Sequence, residues 1–358
     1  MPLSWVRGSL EDIEPYRPGK RASEVQRELG LDSVVKLSSN ESPYPPVPAA
    51  LDAIARVADK LNRYPDGAAV LLKEKLAGLL GVPAASLLVG NGSNELLRLL
   101  ADVSLEPGDE VVAAVPSFIV YPMVARLRGA VTVEVPLLGQ THDLEAMIEA
   151  VGPRTRLIFV CNPNNPTGTV VPAEAVRAFL AAVPQDVVVC FDEAYHEYVT
   201  DPDYRTALEF CDEHPNIVVL RTFSKIYGLA GLRIGYGVAA PVIVETVDKV
   251  REPFNVNTVA QVAAYYSLDA EEEISRRARE NAVERDFVEG ELDVLGFARA
   301  ESQTNFVFFD CGLPAMEAFE RLQRQGVIVR AFGRSRFIRA TLGTRSENER
   351  LIAALGNL

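Results

Sequence analysis

A lysine closes an apolar run in RTFSKIYGLAGLRIGYG, residues 221–237. Burying an ammonium lowers its pKa by up to ~3–5 units, so Lys225 is costly there unless the neutral amine is put to use. A neutral amine attacks carbonyls, and a desolvated lysine is the usual way for a protein to form a Schiff base with a carbonyl cofactor. Thr222, Ser224 and Arg233 in the same run are donor types that a phosphate dianion takes, Arg233 as a bidentate fork. The plainer alternative is a strand-end lysine followed by a glycine-rich turn.

Four further clusters come after apolar runs. In VVVCFDEAYHEY (187–198) an aspartate ends the run, and a buried carboxylate needs a cation partner. A protonated pyridine nitrogen is such a partner for Asp192, and Tyr195 can donate to a phenolate oxygen on the same ring. An aspartate capping a helix would also read this way. In CNPNNPTG (161–168), Asn165 precedes a proline, which holds it extended and able to present its side chain. GNGSNELL (90–97) reads as strand, glycine turn and helix start, whose amides at Gly92, Ser93 and Asn94 would face an anion; Ser93 or Asn94 could equally cap the helix. Phe118, in VPSFIVY, can stack on a planar ring or belong to the core.

The elements that must position these residues alternate. SLLVG, EVVAAV, AVTVEV, RLIFV, DVVVCF and NIVVLR are β-branched and nearly continuous in apolar character, as strands buried on both faces are. Helical patterns such as NELLRLLADVSL, IVYPMVARLRG, LEAMIEAVG and PAEAVRAFLAAV lie between them. The fold class is therefore α/β, with a mostly parallel central sheet covered by helices on both faces. Ligands of such sheets bind at the carboxyl ends of strands, where all five clusters fall. Beyond about residue 255 a long charged helical stretch, then NFVFFD, MEAFERLQRQG, VIVRAF and FIRATLG, read as a smaller α+β domain. The chain of 358 residues exceeds the roughly 250–300 at which one core stops growing, so two domains are expected. We expect a large domain over 30–255 and a small one made of 1–29 with 256–358.

A net charge of −13 argues against a nucleic-acid partner, yet leaves room for small anions at buried arginines. No apolar stretch approaches the ~18 residues of a membrane span, and MPLSWVRGSLEDIEPYRPGK carries no secretion signal, so a cytoplasmic location is expected. Cys161, Cys190, Cys211 and Cys311 lack ligand spacing and read as reduced core residues, with no metal expected.

The chain resembles the fold-type-I pyridoxal-phosphate (PLP) aminotransferases, and within them the histidinol-phosphate aminotransferases. The likeness runs from EPYRPGK, KLSSNESPYPP and NRYPDG through GNGSNE, PSF, CNPNNPTG, FDEAY and RTFSKIYGLAGLRIGY to NFVFF, GVIVR and FIRATLGTRSEN. It implies PLP as cofactor, with Lys225 in the Schiff base and shuttling the substrate proton, Asp192 on the pyridine nitrogen, and Tyr195 and Asn165 on O3′. It implies Phe118 stacked on the ring, where relatives commonly have Tyr, and Gly92, Ser93, Asn94, Thr222, Ser224 and Arg233 around the phosphate. Tyr64 of NRYPDG matches the position that reaches the neighbouring subunit's cofactor phosphate, which implies a homodimer. Arg339 matches the arginine that receives the substrate's anionic group, with Arg330 and Asn165 assisting and Tyr16 closing over the pocket. The segment between the two arginines, AFGRSRFI, is shorter than in many relatives, and Arg334, Arg336 and Arg345 are further cations nearby.

The reaction so implied is amino transfer between L-histidinol phosphate and 2-oxoglutarate or glutamate by a ping-pong mechanism, in histidine biosynthesis. Three alternatives stand beside it: an aromatic amino-acid aminotransferase, a threonine-phosphate-type PLP decarboxylase, and a non-catalytic phosphate- or PLP-binding module. Of the three histidines, His196 is the one nearest the expected site.

Overall fold

The computed structural model describes residues 6–10, 13, 15 and 19–358. A short strand, β1 (Val35–Lys36), precedes the six apolar runs, which fold as β2 (Leu87–Gly90), β3 (Glu110–Val115), β4 (Val131–Pro136), β5 (Thr155–Cys161), β6 (Val188–Asp192) and β7 (Ile217–Thr222). A seventh strand of the same sheet, β8 (Gly235–Ala239), lies antiparallel between β2 and β7, giving the order β2-β8-β7-β6-β5-β3-β4 with the other neighbours parallel. The sequence GYGVA did not stand out as a strand because its glycines weaken the apolar pattern. They are there for close approach: a Cβ at Gly235 would sit 2.6 Å from the Ser93 nitrogen and 2.9 Å from the Arg221 carbonyl oxygen.

Helices cover both faces of this sheet, because successive strand residues point to opposite sides. Leu157 and Phe159 of β5 pack with α4 (Ser93–Ser104), α5 (Val120–Leu127) and α8 (Pro241–Asp248), whereas Ile158 and Val160 pack with α6 (Leu144–Glu149) and α7 (Ala173–Ala182). Side chains such as Phe159, at 0% exposure, each contribute about 1.5–3 kcal/mol by leaving water. The chain ahead of β2 forms α1 (Ala22–Leu29), α2 (Pro48–Val57) and α3 (Val70–Leu80). The last two, with α9 (Thr258–Ser267), pack against the β2–β8 edge.

The rest of the chain builds a second layer. The 24-residue α10 (Glu271–Val294) leads into β9 (Phe306–Asp310), α11 (Ala315–Arg324), β10 (Val327–Ile328), β11 (Arg330–Ala331), β12 (Phe337–Thr341) and α12 (Arg345–Leu355). Strands β11, β12 and β9 form an antiparallel sheet, while β10 pairs in parallel with β1. Val35 and Leu37 therefore bury themselves with Val307, Leu322 and Ile338 of the C-terminal part, and Ala260 and Ala264 of α9 with the large sheet. Packing thus crosses the expected limits at residues 30 and 255 on both sides, because an edge strand and a helix each pack on the apolar face available to them. Among the described residues no helix is long and apolar enough to cross a membrane, and no group of three His, Cys, Asp or Glu is placed to hold a metal.

Candidate active site

Strands β5, β6 and β7 are parallel and in register, Cys161 beside Asp192 and Asp192 beside Leu220, so their carboxyl ends open on one edge of the sheet. The turns that leave this edge carry Asn165, Tyr195 and Lys225. Lys225 is half-buried; its Nζ donates to the Ser39 carbonyl at 3.4 Å and lies 5.6 Å from the centre of the Tyr195 ring. Desolvation, reinforced by the positive charge of Arg339, pulls the amine down to about 8. A substantial fraction is neutral at that pH, which is the form that adds to a carbonyl.

Asp192 is buried at the end of β6. Its carboxylate accepts from the Tyr121 hydroxyl at 3.0 Å and from the Ala194 N–H at 3.2 Å. Burial outweighs those bonds and raises its pKa to about 6. Both donors are neutral, so the carboxylate retains the capacity to take a cation. Tyr195 packs edge-on against Phe306, and its hydroxyl oxygen accepts from Asn40 Nδ2 at 2.8 Å; burial pushes the phenol up, keeping its proton.

Arg339, 8% exposed on β12, donates to the Asn165 side-chain oxygen and to the Ser38 carbonyl, the latter at 3.0 Å. Its guanidinium lies 5.3 Å from the Phe306 ring centre and 5.7 Å from that of Phe332. Arg330 is the ladder partner of Arg339, so the two arginines leave the same face of the small sheet. AFGRSRFI is a tight hairpin between them, turned by Gly333 at φ 52°. Arg336 pairs with Asp310 at 2.9 Å and Arg345 with Glu284 at 3.0 Å, so these two cations are engaged elsewhere.

The amino end of α4 meets Arg233. Gly92, at φ 80°, caps the helix, and the amides of Ser93 and Asn94 occupy its first turn, where backbone donors are unspent. A Cβ on Gly92 would come within 2.6 Å of Arg233 Nη2, so only glycine leaves this concavity open. Arg233, itself at φ 58°, donates to the Ser224 hydroxyl at 3.4 Å and to the Ala230 carbonyl at 3.1 Å. Thr222 is adjacent, but its hydroxyl is occupied within the turn, donating to the Ile234 carbonyl at 3.4 Å and accepting from the Ser224 N–H at 3.1 Å.

Phe118 borders this edge, its ring edge-on to Tyr121 at 5.7 Å. Tyr64 is not in the cluster around Lys225; it is 82% exposed and stacks on Phe254 at 4.7 Å. Tyr16 lies outside the described residues. His196 bonds to Tyr204 at 3.1 Å and burial lowers it to about 4, so it is a neutral structural group near neutral pH.

The segment Ser38–Asn40 lies within KLSSNESPYPP, a motif of the resemblance, but had no role assigned there; it touches Arg339, Lys225 and Tyr195 with three consecutive residues. Sequence reasoning passed over Tyr121, the donor to Asp192. The first had a signal, a run of small polar residues between β1 and the proline-rich turn; the second, a tyrosine in a helix, had none.

The class I and II aminotransferase family model matches residues 32–355. The histidinol-phosphate aminotransferase of Moorella thermoacetica is 46% identical over 353 residues, covering 98% of this chain and 92% of the relative. That of Caldicellulosiruptor saccharolyticus is 43% identical, covering 98% of each. Among solved structures, the histidinol-phosphate aminotransferase of Sinorhizobium meliloti in complex with pyridoxal-5′-phosphate superposes with a TM-score of 0.91 at 30% identity, over 99% of this chain and 97% of that one. The Thermus thermophilus aspartate aminotransferase with maleate superposes with a TM-score of 0.84 at 25% identity, over 98% and 100%. An amine near pH 8, a buried carboxylate bonded to neutral donors, an anion-ready helix end and a buried arginine on one sheet edge accord with these likenesses, and the chain belongs to the class I and II aminotransferases, among the histidinol-phosphate aminotransferases.

Proposed function

We propose that the chain moves an amino group between L-histidinol phosphate and 2-oxoglutarate, with pyridoxal phosphate as cofactor, in histidine biosynthesis. The residues present fit that cofactor. Its aldehyde calls for the lowered amine of Lys225, its protonated ring nitrogen for Asp192, and its phenolic oxygen for the proton of Tyr195. Its phosphate suits the amides of Ser93 and Asn94 with Arg233 and Ser224, in the concavity that a Cβ on Gly92 would fill, and Phe118 would lie against the ring.

When bound, pyridoxal phosphate supplies an aldehyde that holds the amino group and a ring that accepts the electron pair released when the substrate Cα–H bond breaks. Lys225 takes that proton and returns it, a task matched to an amine whose pKa is near the working pH. Asp192, ionised above about pH 6, stabilises positive charge at the carboxyl end of β6. Arg339, with Arg330, binds the anionic group of each substrate in turn; a phosphate ester and a carboxylate present similar oxygens to a guanidinium fork. Asn165 holds one arm of that fork.

The observation that carries the proposal is the convergence of Lys225 and Arg339 on consecutive carbonyls, Ser39 and Ser38, which sets amine chemistry beside anion binding. The test compares kcat/KM for histidinol phosphate with that for phenylalanine, each with 2-oxoglutarate. Preference for histidinol phosphate is expected; equal or better turnover of phenylalanine rejects the substrate, and carbon dioxide release without a ketoacid rejects amino transfer.

The working form proposed is a cytoplasmic homodimer in which Tyr64 reaches the partner's cofactor phosphate. Its support is the exposed aromatic pair of Tyr64 and Phe254, 82% and 45% exposed and stacked on each other. Sedimentation of the purified protein at micromolar concentration tests it, and a monomer with full turnover overturns it. Within each chain we propose two units, one around the seven-stranded sheet and one around the three-stranded sheet that also takes up β1.

A further inference from the structure

We propose that Asn40 fixes the direction of the hydrogen bond at Tyr195, so that the phenol must donate its proton into the cofactor site; this rests on the proposed function of that site.

Asn40 is 1% exposed and adopts φ 54°, the left-handed region that asparagine enters more readily than most residues. Two backbone bonds hold it there: its N–H donates to Thr341 Oγ1 at 2.9 Å, and its carbonyl accepts from Asn305 Nδ2 at 3.2 Å. Side-chain bonds then run in one direction from Thr341 through Asn40 to Tyr195. The Thr341 oxygen accepts from the Asn40 N–H, and its own proton is directed to Asn40 Oδ1, 3.3 Å away. That contact tells the amide's oxygen from its nitrogen and leaves Nδ2 facing the Tyr195 hydroxyl at 2.8 Å.

An amide NH2 is a donor only. The phenol oxygen therefore accepts from Asn40, and its single proton is directed to a different acceptor. Among the described residues, Lys225 from the turn after β7, Arg339 from β12, Asp192 from β6, Cys161 from β5 and Tyr198 from the turn after β6 are the charged or titratable groups around this phenol. Within this frame the phenol is preset as a donor before any ligand arrives. Asn40 is thus a positioning residue that acts through Tyr195.

The test is an absorbance titration of the purified holoenzyme, tracking the pH at which the visible band of the bound cofactor changes. Asn40→Asp replaces the donor with a carboxylate that accepts the phenol proton, and is expected to raise that midpoint by about one unit, because the cofactor's phenolic oxygen loses a donor that favours its anion. Asn40→Gly tolerates the left-handed backbone and keeps both main-chain bonds; a smaller shift in the same direction is expected. Tyr195→Phe gives the full shift, and adding Asn40→Gly to it moves the midpoint no further. Wild-type midpoints in both Asn40 variants beside a shifted Tyr195→Phe overturn the proposal, as does a shift from Asn40→Gly that adds in full to that of Tyr195→Phe. If Asn40→Asp does not fold, Asn40→Gly and the double variant decide alone. Absence of any visible band in the wild type that Lys225→Ala removes would overturn the proposed function of the site itself.

Discussion

Asp192 and Glu193 are consecutive carboxylates at the end of one strand, and they face opposite sides of the sheet. Glu193 is saturated: it accepts from Arg221 Nε at 3.0 Å and Nη2 at 2.9 Å, from the Thr206 hydroxyl at 2.8 Å and from the Ala207 N–H at 2.6 Å. Among the described residues Asp192 accepts the neutral Tyr121 hydroxyl and Ala194 N–H, and it is held at about 6 by burial. Glu193 and Arg221 lock the turn after β6 from behind, where a complete ion pair belongs to structure. Asp192 is left with capacity on the side of the sheet that Lys225 occupies, where an incomplete one leaves room for a ligand's positive charge. Equal burial and adjacent positions thus give opposite roles, decided by what each carboxylate still lacks.

The largest effect expected is on the amine opposite Asp192. Lys225→Ala should lower kcat by about 10⁴-fold or more, with the fold intact by circular dichroism. Full turnover would remove Lys225 from the chemistry.

The carboxylates themselves separate in the next pair of variants. Asp192→Asn should lower kcat by about 10²–10³-fold without destabilising the cofactor-free protein. The sign comes from the raised pKa: native Asp192 carries a burial cost when ionised, so the variant's relative stability is greatest above about pH 6 and shrinks as the pH falls through that value. Glu193→Gln should instead cost about 3–5 kcal/mol in urea unfolding, because Arg221 is left buried with an incomplete partner. Equal destabilisation by both variants would break the comparison.

Arg339→Gln should reduce kcat/KM for anionic substrates by roughly 10- to 100-fold while the visible spectrum of the holoenzyme persists. Loss of the spectrum would move Arg339 from the substrate to the cofactor. The smallest effect is one of pH. The rate at which cofactor-free protein captures pyridoxal phosphate at Lys225 should be half-maximal near pH 8 and fall up to tenfold per unit below it, because the protonated amine is inert. A midpoint near 10.5 would show that burial does not depress the amine.

Much of this was legible in the chain because local rules carry it. Six buried strands come from continuous apolar runs, and the turn residues after them marked Asn165, Asp192, Tyr195 and Lys225. The misses are equally local in origin. β8 was hidden by glycines chosen for contact with α4, and α2, α3 and α9 lie where the alternation of runs gave no lead. Thr222 has the right type for a phosphate donor, yet its turn takes both sides of its hydroxyl.

Residue types alone pointed to an amine and an acid at the ends of apolar runs, since a buried charge there must be neutralised, paired or used, whereas the arginine of β12 came only from the family resemblance. Which partner each one found was decided by the tertiary structure. Asn40 lies 301 positions from Thr341 and 155 from Tyr195, and no local rule connects them. Only folding brings β1, β6 and β12 to one edge, and there hydrogen-bond polarity assigns a donor and an acceptor that types and spacing leave open.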